Sequence, residues 1–218
     1  MPNSTMALRA AGAWLAIGSL LLVGALVFHG PLAPDMDVQA KIIADGATRW
    51  TVVHWVAAAA LSLFAVAGLI VLAATSRLTQ AWWTVTAWAV LLVGAFWTLT
   101  TAVAEATAIT GAAVSANRAM FEAWWSFAEG KATGFLFLAL AVAVIAGNDA
   151  RTPSAATPPW ASWTAVVSGL GAVVGWALGV WLDIRPGNLI WLVSSLVMSL
   201  WILWFGLALV RTEDALKG

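Results

Sequence analysis

Cysteine and tyrosine are both missing from this chain of 218 residues. Without a thiol there is no disulfide, no thiolate metal site and no cysteine nucleophile, and the redox compartment cannot be read. Charge is scarce too. Asp, Glu, Lys and Arg make up 9 % of the chain, against about 25 % in soluble domains. Ten basic and ten acidic residues cancel, which leaves no electrostatic footprint for nucleic acid, and nucleic acid is not expected as a partner. Histidine occurs twice. There is no HExxH, no histidine pair one helical turn apart and no CxxCH, so the common zinc-protease and c-type haem signatures are excluded.

What fills the chain instead is apolar. Hydrophobic residues make up 62 % of it and tryptophan occurs sixteen times. Long uncharged runs identify an integral membrane protein, with membrane lipids as its surroundings. With no tyrosine, tryptophan must supply the whole interfacial belt, and the surplus is available for packing or for lining a pocket.

Hydropathy divides the sequence into one all-α domain, residues 1–218, a polytopic bundle of six transmembrane helices. The expected spans are 10–28, 50–74, 82–106, 119–147, 160–182 and 188–210. Between the first two, Asp35 can cap a short helix with rough amphipathicity that Gly46 closes, which predicts a helix lying at the interface. Residues 107–117 are small, with Gly111 as a breaker, and predict a connection. Residues 148–159 are rich in Pro, Ser and Thr and predict a linker. In the fifth span, Gly171, Gly175 and Gly179 form a repeated small face that lets another helix approach closely. No internal repeat is evident.

One stretch, 120–134, carries charge into an apolar run. Arg118, Glu122, Ser126, Glu129 and Thr133 share a helical face. Seventeen residues separate Lys131 from Asp149, and at about 1.5 Å each they cover roughly 25 Å, less than the ~30 Å hydrocarbon core. If Asp149 marks one boundary, Glu129 and Lys131 lie inside the other, where charge is costly and faces protein or water.

Helix parity sets the unusual ionisable groups on one side. The end of span one, the start of two, the end of three, the start of four and the end of five all meet the same membrane face. They hold His29, His54, Glu105, Glu122, Glu129, Lys131, Asp183 and Arg185. The opposite half is nearly pure Leu, Val and Ala. Basic residues weigh slightly toward a cytoplasmic N-terminus, with Arg9, Arg77, Arg151, Arg211 and Lys217 inside and Lys41, Arg49, Arg118 and Arg185 outside. The polar half then faces outward, and a pocket there is expected from His54, Glu105, Glu122, Glu129 and Lys131, with Trp125 beside them.

Three functions fit that layout. The first is a non-catalytic protein acting by association in the cell membrane, as an accessory subunit, homo-oligomer or part of a larger membrane complex, with a small ligand or lipid in the pocket. The second is a binder of a divalent metal or of haem, with His29 and His54 as ligands. The third is a small-solute or proton-coupled transporter, which needs ionisable groups through the whole depth, and these stop halfway.

Overall fold

The computed structural model describes residues 4–33, 35–74, 76–128, 134–153 and 155–211. Among them there are only helices. Six are long and apolar enough to cross a membrane: α1 (Ser4–Phe28), α3 (Ala47–Ala73), α4 (Trp82–Ala104), α7 (Gly134–Arg151), α8 (Pro159–Trp176) and α9 (Pro186–Arg211). Shorter helices are α2 (Met36–Asp45), α5 (Thr110–Val114) and α6 (Arg118–Ala128). This is an all-α multi-pass membrane bundle.

Each long helix packs on the one before and the one after it in the chain, and α9 packs back on α1. The six spans therefore close a ring in chain order, which short antiparallel connections favour. Without a hydrophobic drive between helices in lipid, close backbone approach at small residues supplies the packing. A Cβ on Gly12 of α1 would lie 2.6 Å from the carbonyl of Gly206 on α9, and one on Gly94 of α4 would lie 2.6 Å from the backbone N of Leu138 on α7. Gly175 and Gly179 lie against the backbone and side chains at the start of α9, and a Cβ on Gly171 would sit 2.7 Å from Ser194 Oγ. The glycine face of the fifth span is thus occupied by the sixth span of the same chain.

The short helix after span one forms as its signals require. Asp35 accepts from Val38 N at 2.9 Å, and Gly46 N closes the last turn on Ile42 O. The chain reaches it through Gly30 at φ +89°, a left-handed conformation that favours glycine.

One expectation needs correction. Residues 107–117 are not a small-residue connection: the third span runs from Trp82 to Val114, through a π-turn at Glu105–Ile109 and then α5, and the chain reverses at 115–117. A single glycine costs a helix only about 1 kcal/mol, and Gly111 has open space around its Cβ position, so it breaks nothing. Within the expected fourth span, 119–147, residues 129–133 lie outside the described set; on either side of them are α6 and α7, and Gly134–Arg151 is long and apolar enough to cross a membrane. Helix α6 packs on the π-turn, α4 and α5, because its two faces differ: Phe121 and Ala128 are buried while Met120, Trp124 and Phe127 are exposed. At the opposite end, where Asp149 was expected to mark the boundary, that residue gathers a polar network. Asp149 is buried and accepts from Ala156 N (2.7 Å), Thr157 N (3.1 Å), Thr157 Oγ1 (2.7 Å) and Ser162 Oγ (3.0 Å). Trp201 Nε1 of α9 adds a bond to Thr157 Oγ1 at 3.1 Å. The linker between spans four and five is a pinned loop.

Two apolar cores result. The larger joins the six spans, around Phe64, Trp88, Leu138, Met198 and Phe205. The smaller gathers Ile43 of α2, Trp50 of α3, Ile109, Ala112 and Phe121. It caps the ring at the end where α1 finishes, here called the His29 end.

Candidate ligand cavity

Beneath that cap the ring lines a partly open cavity of about 140 Å³. Its body is apolar, from Leu22, Leu26, Leu61, Leu138 and Met198, and its roof includes Leu32 and Ala128 of the cap. The ionisable side chains cluster at the His29 end, while hydroxyls of Thr98, Thr101, Ser195 and Ser199 lie along the walls.

His29 follows the last turn of α1, and His54 and Trp50 stand one turn apart on α3. Their rings form a triangle: His29–Trp50 4.8 Å, Trp50–His54 4.8 Å and His29–His54 5.0 Å between centroids. Trp50 Nε1 donates to Glu105 Oε2 at 3.0 Å. Glu105 is buried and opens the π-turn, a local widening that recurs at functional sites. The extra residue leaves Thr110 Oγ1 bonded to Glu105 O at 2.7 Å.

The tautomer of His54 follows from its partner. Its Nδ1 lies 2.8 Å from Trp50 O. A carbonyl only accepts, so Nδ1 carries the proton and Nε2 is the acceptor. His29 makes the same contact to Gly30 O, longer, at 3.4 Å. Burial lowers the pKa of His29, the nearby Arg49 lowers it further, and the Gly30 bond opposes them. His29 is therefore neutral at pH 7.

A second triangle of rings lies on the other half of the ring. Phe135 of α7, Trp176 of α8 and Trp191 of α9 have centroids 5.5–5.8 Å apart and line the same cavity. The indole Nε1 atoms of Trp176 and Trp191 are buried with no hydrogen-bond partner. A second hollow, of about 500 Å³, adjoins the cavity through Leu26, His29, Leu32 and Trp191, and is rimmed by Asp183, Arg185 and Asn188.

No protein-family model, no curated protein and no solved structure matches this chain. Its function has to be argued from the cavity itself.

Of the residues singled out in sequence, His29, His54 and Glu105 come together here. Glu122 does not join them. It is half-exposed on α6 and pairs with Arg118 at 2.8 Å, and Arg118 also reaches Asp37 of α2 at 3.3 Å. A side chain at that position faces away from Phe121, the residue α6 buries. Trp125 stacks on Phe121, centroids 5.5 Å apart, and belongs to the cap core rather than to the cavity wall. Glu129 and Lys131 lie outside the described residues. Gly171, Gly175 and Gly179 contact α9 as described above. Sequence reasoning missed Trp50, Trp176, Trp191 and Phe135, because nothing in the pattern of sixteen tryptophans marks which ones face inward.

The geometry bears on the metal and haem readings. Among the described residues no three His, Asp or Glu side chains gather closely enough to hold a metal ion. The two imidazoles are in edge contact with each other and with Trp50, which leaves no slot for a macrocycle between them.

Proposed function

We propose that this chain is a non-catalytic, ligand-binding protein of the cell membrane, which takes up a small, mostly apolar molecule inside its six-helix ring. The observation that carries the reading is the cavity under the cap: a mostly apolar wall with its ionisable groups gathered at one end, the usual make-up of a small-molecule site. The polar atoms are held by one another, through the Trp50–Glu105 and His54–Trp50 bonds, which suits orienting a ligand more than transforming it. The basic residues favour cytoplasmic termini, so that the His29 end faces outward. An accessory subunit that reports its occupied state to a membrane partner fits this arrangement. The face most suited to self-association, Gly171–Gly175–Gly179, is already covered by α9, so a partner would have to dock elsewhere.

The test is binding. The protein is purified in mild detergent beside an Ala57→Phe variant, in which a ring is built into the cavity wall. Mass spectrometry of the extracted small molecules should find a stoichiometric compound with the wild type and a depleted one with the variant. Equal profiles from both proteins would rule the reading out.

A further inference from the structure

The hollow beside the cavity is larger than the cavity and differs from it in character. Resting on the binding role just proposed, we infer that the ligand is a single-chain lipid with a zwitterionic headgroup, its chain in the ring and its headgroup at Asp183 and Arg185. Three observations lead there.

The first is a shared wall. The hollow of about 500 Å³ has Leu26, His29, Leu32 and Trp191 in common with the cavity. Helix α9 lines both with one stripe: Asn188, Trp191 and Leu192 in the hollow, then Ser195 and Ser199 in the cavity. Positions three or four apart share a helical face. On α1, Leu22, Leu26 and His29 follow the same spacing. From Asn188 to Ser199 the helix rises roughly 16 Å. Half of the ~30 Å hydrocarbon core is about 15 Å, so this tract has the depth of one lipid chain.

The second is the change along the tract. The cavity is mostly apolar, and by itself has room for about a benzene ring, so a longer chain must continue into the hollow. Asp183 and Arg185 rim the hollow from the turn between two candidate spans, Pro159–Trp181 and Pro186–Arg211. That turn lies at the membrane surface, at the level of headgroups. Leu189, also on the hollow, is 64 % exposed. The hollow therefore borders the lipid-facing surface, from which a chain can enter.

The third is the pair of charges. Asp183 and Arg185 have opposite sign, and neither has an ion-pair partner among the described residues. Their turn is held by backbone bonds, Ile184 N to Leu178 O and Gly187 N to Ile184 O, each 2.8 Å. Exposed charges at a helix end ordinarily face water. This pair differs because it rims a hollow that adjoins an apolar cavity. A headgroup with one phosphate and one ammonium offers each side chain its counter-charge. A fatty acid would bring its carboxylate to Asp183, and a cationic amphiphile would meet Arg185.

The experiment uses the full chain in digitonin, a detergent with no straight alkyl chain, and counts bound molecules by native mass spectrometry over a concentration series. Four probes of equal chain length are compared: lauroyl-lysophosphatidylcholine, laurate, dodecyltrimethylammonium and dodecanol. The lysophosphatidylcholine should bind about tenfold more tightly than dodecanol, the summed worth of two solvent-exposed ion pairs, and more tightly than either singly charged probe. Arg185→Gln and Asp183→Asn should each weaken the lysophosphatidylcholine severalfold and leave dodecanol unchanged. Both side chains are exposed, so neither change threatens the fold. Ala57→Phe should weaken all four probes, and full binding of the lysophosphatidylcholine by that variant would overturn the placement of the chain. Equal affinity for lysophosphatidylcholine and dodecanol, or preference for a singly charged probe, would overturn the ligand class while leaving the binding role intact. So would failure of every probe with a protein that co-purifies with another compound. If no probe binds and no compound co-purifies, the binding role falls as well.

Discussion

Trp50 and Glu105 are fifty-five positions apart in sequence, yet the indole Nε1 of one donates to the carboxylate Oε2 of the other at 3.0 Å. The bond ties the start of the second span to the π-turn of the third, and both residues are almost fully buried. Trp50→Phe keeps the ring that packs on both histidines and removes only the donor. It should lower stability by about 1 kcal/mol, the usual net worth of one hydrogen bond. Glu105→Gln retains a carbonyl acceptor and should cost less. Thermal unfolding of the two variants in detergent makes the comparison, and a Trp50→Phe protein as stable as the wild type would show the bond to be inert.

The Asp149 network makes a second claim. One carboxylate collects two backbone and two hydroxyl donors from the loop and from the start of α8. Asp149→Ala strands these donors in a buried place and should cost roughly 3 kcal/mol. The visible result should be proteolysis between 148 and 158 in membranes whose Asp149 end is accessible. Thr157→Val, which removes the bridge to Trp201, should give a milder form of the same sensitivity. An uncut loop in both variants would mean that something else holds it.

His29 gives a pH dependence whose sign can be worked out. Burial, helped by Arg49, lowers its pKa from 6.5. Above pH 6.5 the imidazole is neutral in both the folded and the unfolded chain, and it contributes nothing to the pH slope. As pH falls below 6.5 the unfolded chain takes up a proton that the folded one refuses, so stability declines until the lowered folded pKa is passed. The thermal midpoint should therefore drop below pH 6.5, and His29→Gln should flatten that part of the curve. A midpoint that rose on acidification, with His29→Gln removing the rise, would mean that the folded protein stabilises the imidazolium instead.

Two glycines should respond in opposite directions. Gly111 is helical, exposed and surrounded by open space, so Gly111→Ala should stabilise by about 0.5–1 kcal/mol. Gly134 is pressed against α4, where a Cβ would meet Gly94 O and Thr98 N, each at 2.7 Å. Gly134→Ala should force the α4–α7 contact apart and reduce yield and melting temperature. The same sign of effect at both positions would contradict the packing described for that contact.

The class of fold was legible because it rests on long apolar runs, and lipid leaves helices few alternatives. Helix parity, which needs only the order of the spans, brought His29, His54 and Glu105 to one end. Side-chain direction was harder to read. Glu122 shares a helical stripe with Arg118, and the stripe looks like one wall of a site, but α6 buries Phe121 and turns Glu122 to the surface ion pair. Asp149 looked like a boundary marker because sequence gives no sign that Thr157 and Ser162 fold back to it. Trp176 and Trp191 were indistinguishable from belt tryptophans, since inward and lipid-facing positions of a span are equally apolar.

The tight backbone contacts of α1 with α9, α4 with α7 and α8 with α9 have a mechanical consequence. Helices that touch carbonyl to amide through glycine cannot slide by a turn without colliding, so these staves of the cask are locked in register. Two halves rocking against each other, as alternating access demands, would have to pry open several such joints at once. Exchange of a guest should therefore pass through the end-hollow beside His29 and Leu32, and its rate should follow the looseness of that stopper rather than the thickness of the surrounding bilayer.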